Sequence, residues 1–333
     1  MKVKLGINGF GRIGRYVLRA AHSSAYRDRV EVVRINDLAP VAQVAHLLKY
    51  DSVHGRLPYA VQSADDCLTV DNKRIAYSSC PEPQAIDWQG VDIVLECSGV
   101  FRKRAQAELH LRAGAKKVII SAPAVDEDIT VVYGVNSDQL DPSKHVIISN
   151  ASCTTNCLAP PLLALHQRLG VSNALMTTVH SYTGDQRILD LPHKDLRRSR
   201  AAAANIIPTS TGAARAIGLV IPALKGKVEG IAVRVPTPNV SLVDVVMKVE
   251  KDTSAAEVNA MLKERAAGDM QGIMTCCEEE LVSSDFIGNP ASSIVDLPST
   301  TVMDKRLVKV MTWYDNEAGF SYRMLDVARQ LHS

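Results

Sequence analysis

The sequence predicts two domains of different classes, an α/β domain with a doubly wound parallel sheet followed by an α+β domain with a largely antiparallel or mixed sheet. Three features of the chain carry this prediction. A strand-like run leads into a glycine-rich turn near the N-terminus, strand–helix alternation continues to about residue 150, and long strand candidates with few crossover helices follow. Alternation of strands with helices is typical of parallel sheets, whereas long strands without crossover helices are typical of antiparallel or mixed sheets.

Length and composition agree with two ordered domains. A chain of 333 residues is longer than one hydrophobic core usually supports, and its 46% hydrophobic and 22% charged residues are ordinary for globular proteins. The formal net charge of +2 is too small to indicate nucleic acid or a membrane surface as a partner. The seven cysteines include no C-x-x-C pair, and the N-terminus shows no targeting pattern. We therefore expect a cytoplasmic protein without disulfides or a metal site.

The first strand candidate ends in a glycine pattern typical of dinucleotide binding. It leads into Gly9-Phe-Gly-Arg-Ile-Gly14, and a helix-like segment follows. In such a turn Gly9 allows the tight bend, Gly11 lets the backbone approach a pyrophosphate, and Gly14 lets the helix pack close to the strand. The helix N-terminus adds N–H groups and positive potential that favour phosphate. We therefore predict a Rossmann-type domain over residues 1–150.

An acidic residue follows the second strand candidate. Residues 30–36 form this strand, and Asp37 comes directly after it. The spacing from the glycines is one at which a carboxylate accepts hydrogen bonds from the adenosine ribose of NAD. The same carboxylate repels a 2′-phosphate, which favours NAD without excluding NADP. Two later strands end at Ser98 and Ser121, at the edge where such sheets bind ligands.

The segment at residues 149–156, Ser-Asn-Ala-Ser-Cys-Thr-Thr-Asn, marks the predicted domain boundary. It joins a strand-like run to an apolar helical segment, so Cys153 is predicted near a helix N-terminus and at a seam between domains. Unpaired N–H groups and the helix dipole favour a thiolate there, although free cysteines are usually packing residues. Pro160 and Pro161 predict either a kink or a break into two short helices. We interpret Cys157 as a packing residue.

The second domain, predicted over residues 151–316, supplies a candidate base and candidate anion-binding groups. His180 ends a strand and is the histidine best placed to serve a cysteine nucleophile. Arg234 lies in an apolar strand, where its charge requires a ligand phosphate or a buried carboxylate. The segment Thr209-Ser-Thr-Gly212 precedes a helix and suits phosphate.

Two further segments have alternative interpretations. Asn316 follows the last strand and either caps the final amphipathic helix or donates a hydrogen bond to a nicotinamide carboxamide. The basic loop at residues 185–200 is either solvated surface or a binding segment for an anionic substrate.

Five motifs, spread over essentially the whole chain, resemble those of the phosphorylating glyceraldehyde-3-phosphate dehydrogenases. They are Asn8-Gly-Phe-Gly-Arg-Ile-Gly-Arg15, Lys49-Tyr-Asp-Ser52, Ser149-Asn-Ala-Ser-Cys-Thr-Thr-Asn-Cys-Leu-Ala-Pro160, Pro236-Thr-Pro-Asn-Val240 and Trp313-Tyr-Asp-Asn-Glu317. The resemblance implies oxidative phosphorylation of D-glyceraldehyde 3-phosphate to 1,3-bisphosphoglycerate, with NAD reduced, in glycolysis or gluconeogenesis. It implies inorganic phosphate as co-substrate and a homotetramer, in which a C-terminal helix at residues 317–333 completes the first domain.

The resemblance also implies roles for single residues. Cys153 matches the nucleophile, which forms a hemithioacetal and then a thioester, and His180 matches the base. The implied contacts to substrate or phosphate are Ser152, Thr154, Thr183, Asp185, Arg198, Thr211, Gly212 and Arg234. The implied contacts to the cofactor are Gly9, Gly11, Arg12, Ile13, Gly14, Asp37, Ser121 and Asn316.

Two alternatives stay open at the level of sequence. Erythrose-4-phosphate dehydrogenase shares the cysteine and histidine, but that family tends to place Glu at the Asp37 position and to lack the pattern at residues 209–212. An NAD-binding redox sensor would use Cys153 for oxidation rather than catalysis. The intact set of Cys153, His180, Arg234 and the phosphate-binding threonines argues against a loss of catalysis.

Overall fold

The computed structural model describes residues 1–332 and divides into two compact units. The first unit comprises residues 1–131, 137–151 and the chain from Ser321 on, and the second comprises Val132–Asn136 and Ser152–Phe320. No helix within residues 1–332 has the length and apolar character needed to cross a membrane.

The first unit is built on a nine-stranded sheet. Its strands are β1 (Val3–Asn8), β2 (Val30–Asn36), β3 (Val61–Ala64), β4 (Cys67–Val70), β5 (Lys73–Ser78), β6 (Ile93–Glu96), β7 (Lys117–Ile120), β8 (Ile129–Thr130) and β9 (Ile147–Ser149). Their order across the sheet is β3-β4-β5-β2-β1-β6-β7-β9-β8. All neighbours from β5 to β8 are parallel, while β3, β4 and β5 form antiparallel pairs. The predicted parallel sheet is confirmed, and β4 and β5 add an antiparallel hairpin to it.

Helices connect the parallel strands, namely α1 (Arg12–Ala21), α2 (Val41–Lys49) and α3 (Arg104–Arg112). The strand interiors are buried, and so is the inner face of α1. The helix α1 begins three residues earlier than the pattern of apolar residues predicts, so the glycine turn leads directly into its first turn. This places the N–H groups of the helix start immediately after Gly9 and Gly11, with Gly14 inside the first helical turn.

The second unit contains a seven-stranded mixed sheet. Its strands are β10 (Val171–Ser181), β11 (Ile207–Ser210), β12 (Val228–Val235), β13 (Ser241–Val249), β14 (Met274–Cys277), β15 (Ser293–Met303) and β16 (Leu307–Tyr314). They lie in the order β11-β12-β10-β13-β16-β15-β14. The pairs β10/β12 and β14/β15 are parallel and the other four pairs are antiparallel. The predicted mixed class is therefore confirmed.

Four helices follow α3 in the chain. They are α4 (Cys153–Leu169), α5 (Ala213–Val220), α6 (Ala255–Ala267) and α7 (Ala318–His332). Of the two alternatives for Pro160 and Pro161, the break is wrong, because α4 runs through both prolines as one helix of 17 residues, and the kink stays a prediction. Residues 154–162 of α4 are buried on all sides, and this packing offsets the backbone hydrogen bonds that the prolines remove.

The core of the first unit contains a close contact between a glycine and a tryptophan. Trp88 is fully buried among Val91, Val94 and Val118. A Cβ atom built on Gly6 of β1 would lie 2.4 Å from Cζ3 of Trp88. Only a residue without a side chain fits here, because interiors are packed too tightly for an added carbon.

We expect Gly6→Ala to lower the free energy of unfolding by about 1–3 kcal/mol, since the indole or the strand must shift to admit the methyl group. Urea unfolding followed by tryptophan fluorescence measures the change. Gly184→Ala is the matched control, because no atom lies within 4 Å of the added Cβ there. Equal stability of the two variants would contradict the packing account.

Candidate active site

Cys153 is the first residue of α4, as the sequence predicts. The chain leaves β9 at Ser149 and turns at Ala151, whose φ of +55° is unusual for a residue with a side chain. Ser152 then caps the helix, because its Oγ accepts a hydrogen bond from the Thr155 N–H at 3.1 Å. The turn and the cap together fix the thiol in the first helical turn.

His180 is brought to the thiol by β10. Its Nε2 lies 3.6 Å from Sγ of Cys153, and the side chain is buried, with 4% of its surface exposed. The ring also packs edge-on against Tyr314, with ring centroids 5.9 Å apart. The predicted pairing of a cysteine nucleophile with this histidine is geometrically present in the second unit.

Arg234 lies next to His180 because β10 and β12 pair in parallel with these two residues as register partners. Its Nη1 is 2.8 Å from Nδ1 of His180 and 3.0 Å from the carbonyl oxygen of Ser181. Of the two partners expected for Arg234, the buried carboxylate is therefore wrong, since both neighbouring groups are neutral, and the ligand phosphate stays a prediction. Within residues 1–332, Nε of Arg234 is a buried donor without a hydrogen-bond partner. The positive charge thus stays available for an anionic ligand.

The two neighbours of His180 Nδ1 support both neutral tautomers of the ring. The Ser181 carbonyl oxygen, 2.7 Å away, accepts a hydrogen bond when Nδ1 carries the proton. The Arg234 guanidinium, which can only donate, supplies a hydrogen bond when Nδ1 is bare. Nε2 is accordingly free to accept a proton in one tautomer and to donate one toward sulfur in the other.

Burial dominates the titration of this pair. Burial, and after it the charge of Arg234, lowers the pKa of His180 to about 3, so the ring is neutral at neutral pH. Burial likewise raises the pKa of the Cys153 thiol, while the Arg234 charge and hydrogen bonds from Thr154 act in the opposite direction. The predicted stabilisation of the thiolate at the helix start is therefore present, but burial of the thiol outweighs it.

Tyr314 is a site residue that the sequence reasoning missed. Its hydroxyl oxygen lies 2.8 Å from Oγ1 of Thr154 and 2.9 Å from Oγ1 of Thr178, and the residue is buried at the end of β16. Burial raises the pKa of this phenol well above its ordinary value. The Thr154 side chain, a predicted phosphate contact, is thus engaged with a buried phenol. In the sequence, Tyr314 is marked only by its place two residues before Asn316 in the motif at residues 313–317.

A second group of predicted anion-binding residues surrounds Arg198. Its Nη1 is 2.6 Å from Oδ2 of Asp185, and its Nε donates to Oγ1 of Thr209 at 3.0 Å. The loop that carries it begins with a turn in which the carbonyl oxygen of Thr183 accepts the N–H of Gln186. The ion pair therefore lies within the basic loop, and the hydrogen bond to Thr209 ties the loop to the segment at residues 209–212.

The N-terminus of α5 adjoins this group. Thr211 Oγ1 accepts the N–H of Ala213 at 3.2 Å, and Gly212 is the exposed cap residue of the helix. Burial, followed by the charge of Arg198, lowers the pKa of Arg234. Two cations that repel each other in one unit favour the binding of an anion, because the anion removes the repulsion.

The glycine turn of the first unit fits a dinucleotide. Gly9 has a φ of +86°, and a Cβ there would lie 2.4 Å from the Ser98 nitrogen. A Cβ on Gly14 would lie 2.3 Å from the Gly9 carbonyl oxygen, which explains the close contact of α1 with the turn. At Gly11, the cap of α1, no atom lies within 4 Å of an added Cβ, so the backbone is open to a ligand. The three glycines differ in the way that pyrophosphate binding requires.

The first unit also holds four other predicted cofactor residues, of which Asp37, Arg12 and Ile13 lie at or beside this turn. Asp37 accepts the Phe10 N–H at 2.6 Å, which fixes its carboxylate beside the turn. Arg12 forms an ion pair with Asp51 at 2.6 Å, and Ile13 is half-buried on α1. The Ser121 N–H donates to the carbonyl oxygen of Glu96 at the end of β7. Within residues 1–332, no three His, Cys, Asp or Glu side chains are grouped as a metal ion would need.

Asn316, the remaining predicted cofactor residue, lies in the second unit. Its Oδ1 accepts hydrogen bonds from the hydroxyls of Ser181 at 2.9 Å and Ser241 at 3.2 Å. The helix-cap alternative is wrong, because Asp315 accepts the N–H groups of Glu317 and Ala318 at the start of α7. The two serine hydroxyls hold the amide oxygen of Asn316 and so fix the positions of its acceptor, Oδ1, and its donor, Nδ2.

Comparison with known proteins identifies one family. Residues 3–104 match the model for the glyceraldehyde 3-phosphate dehydrogenase NAD binding domain, and residues 152–316 match that for the C-terminal domain. The glyceraldehyde-3-phosphate dehydrogenase of Priestia megaterium is 58% identical over 99% of this chain and 98% of its own. The glyceraldehyde-3-phosphate dehydrogenase of Geobacillus stearothermophilus is 57% identical over 100% of this chain and 99% of its own. Glyceraldehyde-3-phosphate dehydrogenase 1 of Bacillus subtilis is 58% identical over 98% of this chain and 98% of its own.

We expect Arg234→Gln to slow alkylation of Cys153 at neutral pH. The substitution removes the charge that lowers the pKa of the thiol, so the midpoint of the rate against pH moves upward by about one unit. Inactivation by iodoacetamide over a pH series measures this midpoint. Arg234→Lys retains a positive charge and is the matched control, for which a smaller shift is expected. An unchanged midpoint in the Gln variant would remove Arg234 from the electrostatics of the thiol.

Proposed function

The chain belongs to the glyceraldehyde-3-phosphate dehydrogenase family, and we propose that Cys153 and His180 perform its chemistry as nucleophile and base. The family activity is oxidation of glyceraldehyde 3-phosphate by an NAD-dependent oxidoreductase. The observation that carries the assignment of residues is the 3.6 Å contact between Sγ and Nε2 at the start of α4. A cysteine nucleophile needs a base within this reach.

The first step is addition of the thiol to the aldehyde. Because burial keeps the Cys153 thiol protonated and the His180 ring neutral, Nε2 takes the thiol proton as sulfur attacks the carbonyl carbon. The tautomer with the proton on Nδ1, hydrogen-bonded to the Ser181 carbonyl oxygen, is the one that leaves Nε2 bare. The proton is returned to the developing oxyanion, and the product is a hemithioacetal on Cys153.

The second step converts the hemithioacetal to a thioester. Nε2 of His180 accepts the hydroxyl proton again, while the carbon is oxidised. The chemistry that bound NAD supplies is acceptance of the hydride from this carbon. In the protein, the N–H groups at the start of α4 provide donors for the carbonyl oxygen of the acyl group. The two serines that hold Oδ1 of Asn316 orient its amide NH₂ as a donor for the cofactor carboxamide.

The third step is attack of inorganic phosphate on the thioester. A thioester suits this transfer, because it is a better acyl donor than an oxygen ester. The cations Arg198 and Arg234 attract the phosphate groups of substrate and co-substrate, aided by the hydroxyls and N–H groups around Thr211 and Gly212. The released product is an acyl phosphate, and the thiol is regenerated.

We also propose that the protein acts in the cytoplasm as a homotetramer, as the family resemblance implies. Apolar side chains are exposed along the basic loop, for example Ile188, Leu189 and Leu196, whose surfaces are 85%, 70% and 83% accessible in the isolated chain. Such a patch indicates a protein contact. Light scattering after size-exclusion chromatography tests the proposal, and a monomer at micromolar concentration would contradict it.

We expect NAD reduction with glyceraldehyde 3-phosphate to require phosphate or arsenate, because without an acyl acceptor the thioester accumulates after one turnover. Absorbance of the reduced cofactor measures the rate. Erythrose 4-phosphate under the same conditions is the comparison substrate, for which lower catalytic efficiency is expected. Equal steady-state turnover with no oxyanion present would contradict the phosphorolysis step.

We expect Cys153→Ser to abolish turnover, with a loss of at least about a thousandfold, while affinity for NAD is retained. Steady-state rates and calorimetric titration with NAD measure the two properties separately. Cys157→Ser is the matched control, since this thiol is buried four residues further along α4 and faces the Thr312 carbonyl oxygen. Substantial activity in the Cys153 variant would show that another group is the nucleophile.

A further inference from the structure

A buried polar network connects the carboxyl ends of β2, β1 and β6 under the glycine turn of the first unit. Its members are Asn36, Asn8, Glu96, His110 and Trp88, of which none exposes more than 3% of its surface. Neither the mechanism nor the sequence motifs account for these residues as a group. A buried carboxylate is costly unless every acceptor site is satisfied, so its presence at this position requires an explanation.

Glu96, at the end of β6, is saturated by neutral donors. One carboxylate oxygen accepts from Nδ2 of Asn8 at 2.6 Å and from Nε2 of His110 at 2.9 Å. The other accepts from the N–H of Ser98 at 2.8 Å and from the hydroxyl of the same serine. Only an ionised carboxylate offers acceptors alone, so Glu96 is present as an anion.

The donor role of His110 is fixed by Trp88. The indole Nε1–H can only donate, and it lies 3.0 Å from Nδ1 of His110. Nδ1 is therefore an acceptor, and the proton of the neutral ring is on Nε2, directed at Glu96. The negative charge of Glu96 consequently has no cationic partner in this contact and is held by hydrogen bonds alone.

The network extends from Glu96 to the adenosine side of the predicted cofactor site. Oδ1 of Asn8 accepts from Nδ2 of Asn36 at 2.9 Å, and Asn36 is bonded in turn to both backbone polar groups of Cys80. Asn36 directly precedes Asp37 in the chain. One set of hydrogen bonds thus fixes the ends of the three strands after which Gly9, Asp37 and Ser98 follow.

The glycine turn rests on this framework. The Gly9 N–H donates to the Asn36 carbonyl oxygen at 2.8 Å, and the Cys97 N–H donates to the Asn8 carbonyl oxygen at 2.7 Å. An added Cβ on Gly9 would meet the Ser98 backbone, so turn and loop are in contact. From this arrangement we infer that Glu96 is a positioning residue for NAD, acting through Asn8 and Ser98. The inference rests on the proposed function, because it takes the glycine turn as the cofactor site.

Glu96→Gln tests this role, because the amide keeps the shape but turns one oxygen into a donor that faces other donors. Affinity for NAD is measured by calorimetric titration of the whole protein, and the KM for NAD and kcat are measured separately. We expect the dissociation constant and the KM to rise at least about tenfold, while kcat at saturating NAD changes by no more than about twofold. Alkylation of Cys153 by iodoacetamide should keep its rate.

The matched control is Asp92→Asn, at the opposite end of the same strand. Asp92 is also a buried carboxylate, and it accepts the Lys4 N–H at 2.9 Å and pairs with Lys116 at 2.8 Å. We expect this variant to lose stability without losing affinity for NAD. A Glu96 variant that binds NAD within about twofold of the parent, or an equal loss in the Asp92 variant, would overturn the inference.

Ser98→Ala provides a second test if Glu96→Gln does not fold. It removes one donor to Glu96 from an exposed residue and leaves the backbone N–H in place. We expect a rise in the NAD dissociation constant of about threefold or more together with a modest loss of thermal stability, since Glu96 loses one donor, and an unchanged dissociation constant would overturn the inference. Failure of the parent protein itself to bind NAD would instead contradict the proposed function, so the two failures are distinguishable.

Discussion

The contact between the Arg234 guanidinium and Nδ1 of His180 is the constraint on which the chemistry of the second unit depends. Parallel pairing of β10 with β12 makes these residues register partners, so the sheet itself places a cation 2.8 Å from the ring. Burial and this cation keep the ring neutral, which is the state a base needs. Because both partners of Arg234 are neutral, its charge also lowers the pKa of the thiol and attracts an anionic substrate.

The two units use buried charge in complementary ways. In the second unit, the half-buried cation Arg234 lies against two neutral groups and keeps a donor for a ligand. In the first unit, the buried anion Glu96 is held by neutral donors and has every acceptor site occupied. A charge with spare hydrogen-bonding capacity is suited to binding and catalysis, whereas a saturated one is suited to fixing the geometry of its neighbours.

The sequence predicted those features that depend on local pattern. Gly9, which has a positive φ, lies in the predicted glycine turn. The strands β12 and β13 lie where their alternating patterns indicate. The strand β15 escaped prediction because it contains Pro298 and changes register between Asp296 and Thr301, both of which weaken a strand pattern.

The site features that escaped prediction depend on partners distant in the chain. The neutral partners of Arg234 follow from strand register, and the contact of Tyr314 with Thr154 joins residues 160 positions apart. The helix-cap alternative for Asn316 fails because the neighbouring Asp315 accepts the N–H groups at the start of α7. Likewise, the balance between burial and the helix start at Cys153 depends on how deeply tertiary packing encloses the thiol. The spacing of residues in a single sequence holds no information on these tertiary contacts or on the burial of the thiol.

Cys153 carries the acyl group in the proposed reaction, and trapping the acyl-enzyme is the direct test of this role. The protein is mixed with glyceraldehyde 3-phosphate and NAD in buffer free of phosphate and arsenate, quenched in acid and digested for mass spectrometry. We expect a phosphoglyceroyl adduct on the peptide that contains Cys153, absent from Cys153→Ser and discharged when phosphate is added before the quench. An adduct on any other residue, or one that phosphate does not discharge, would contradict the account.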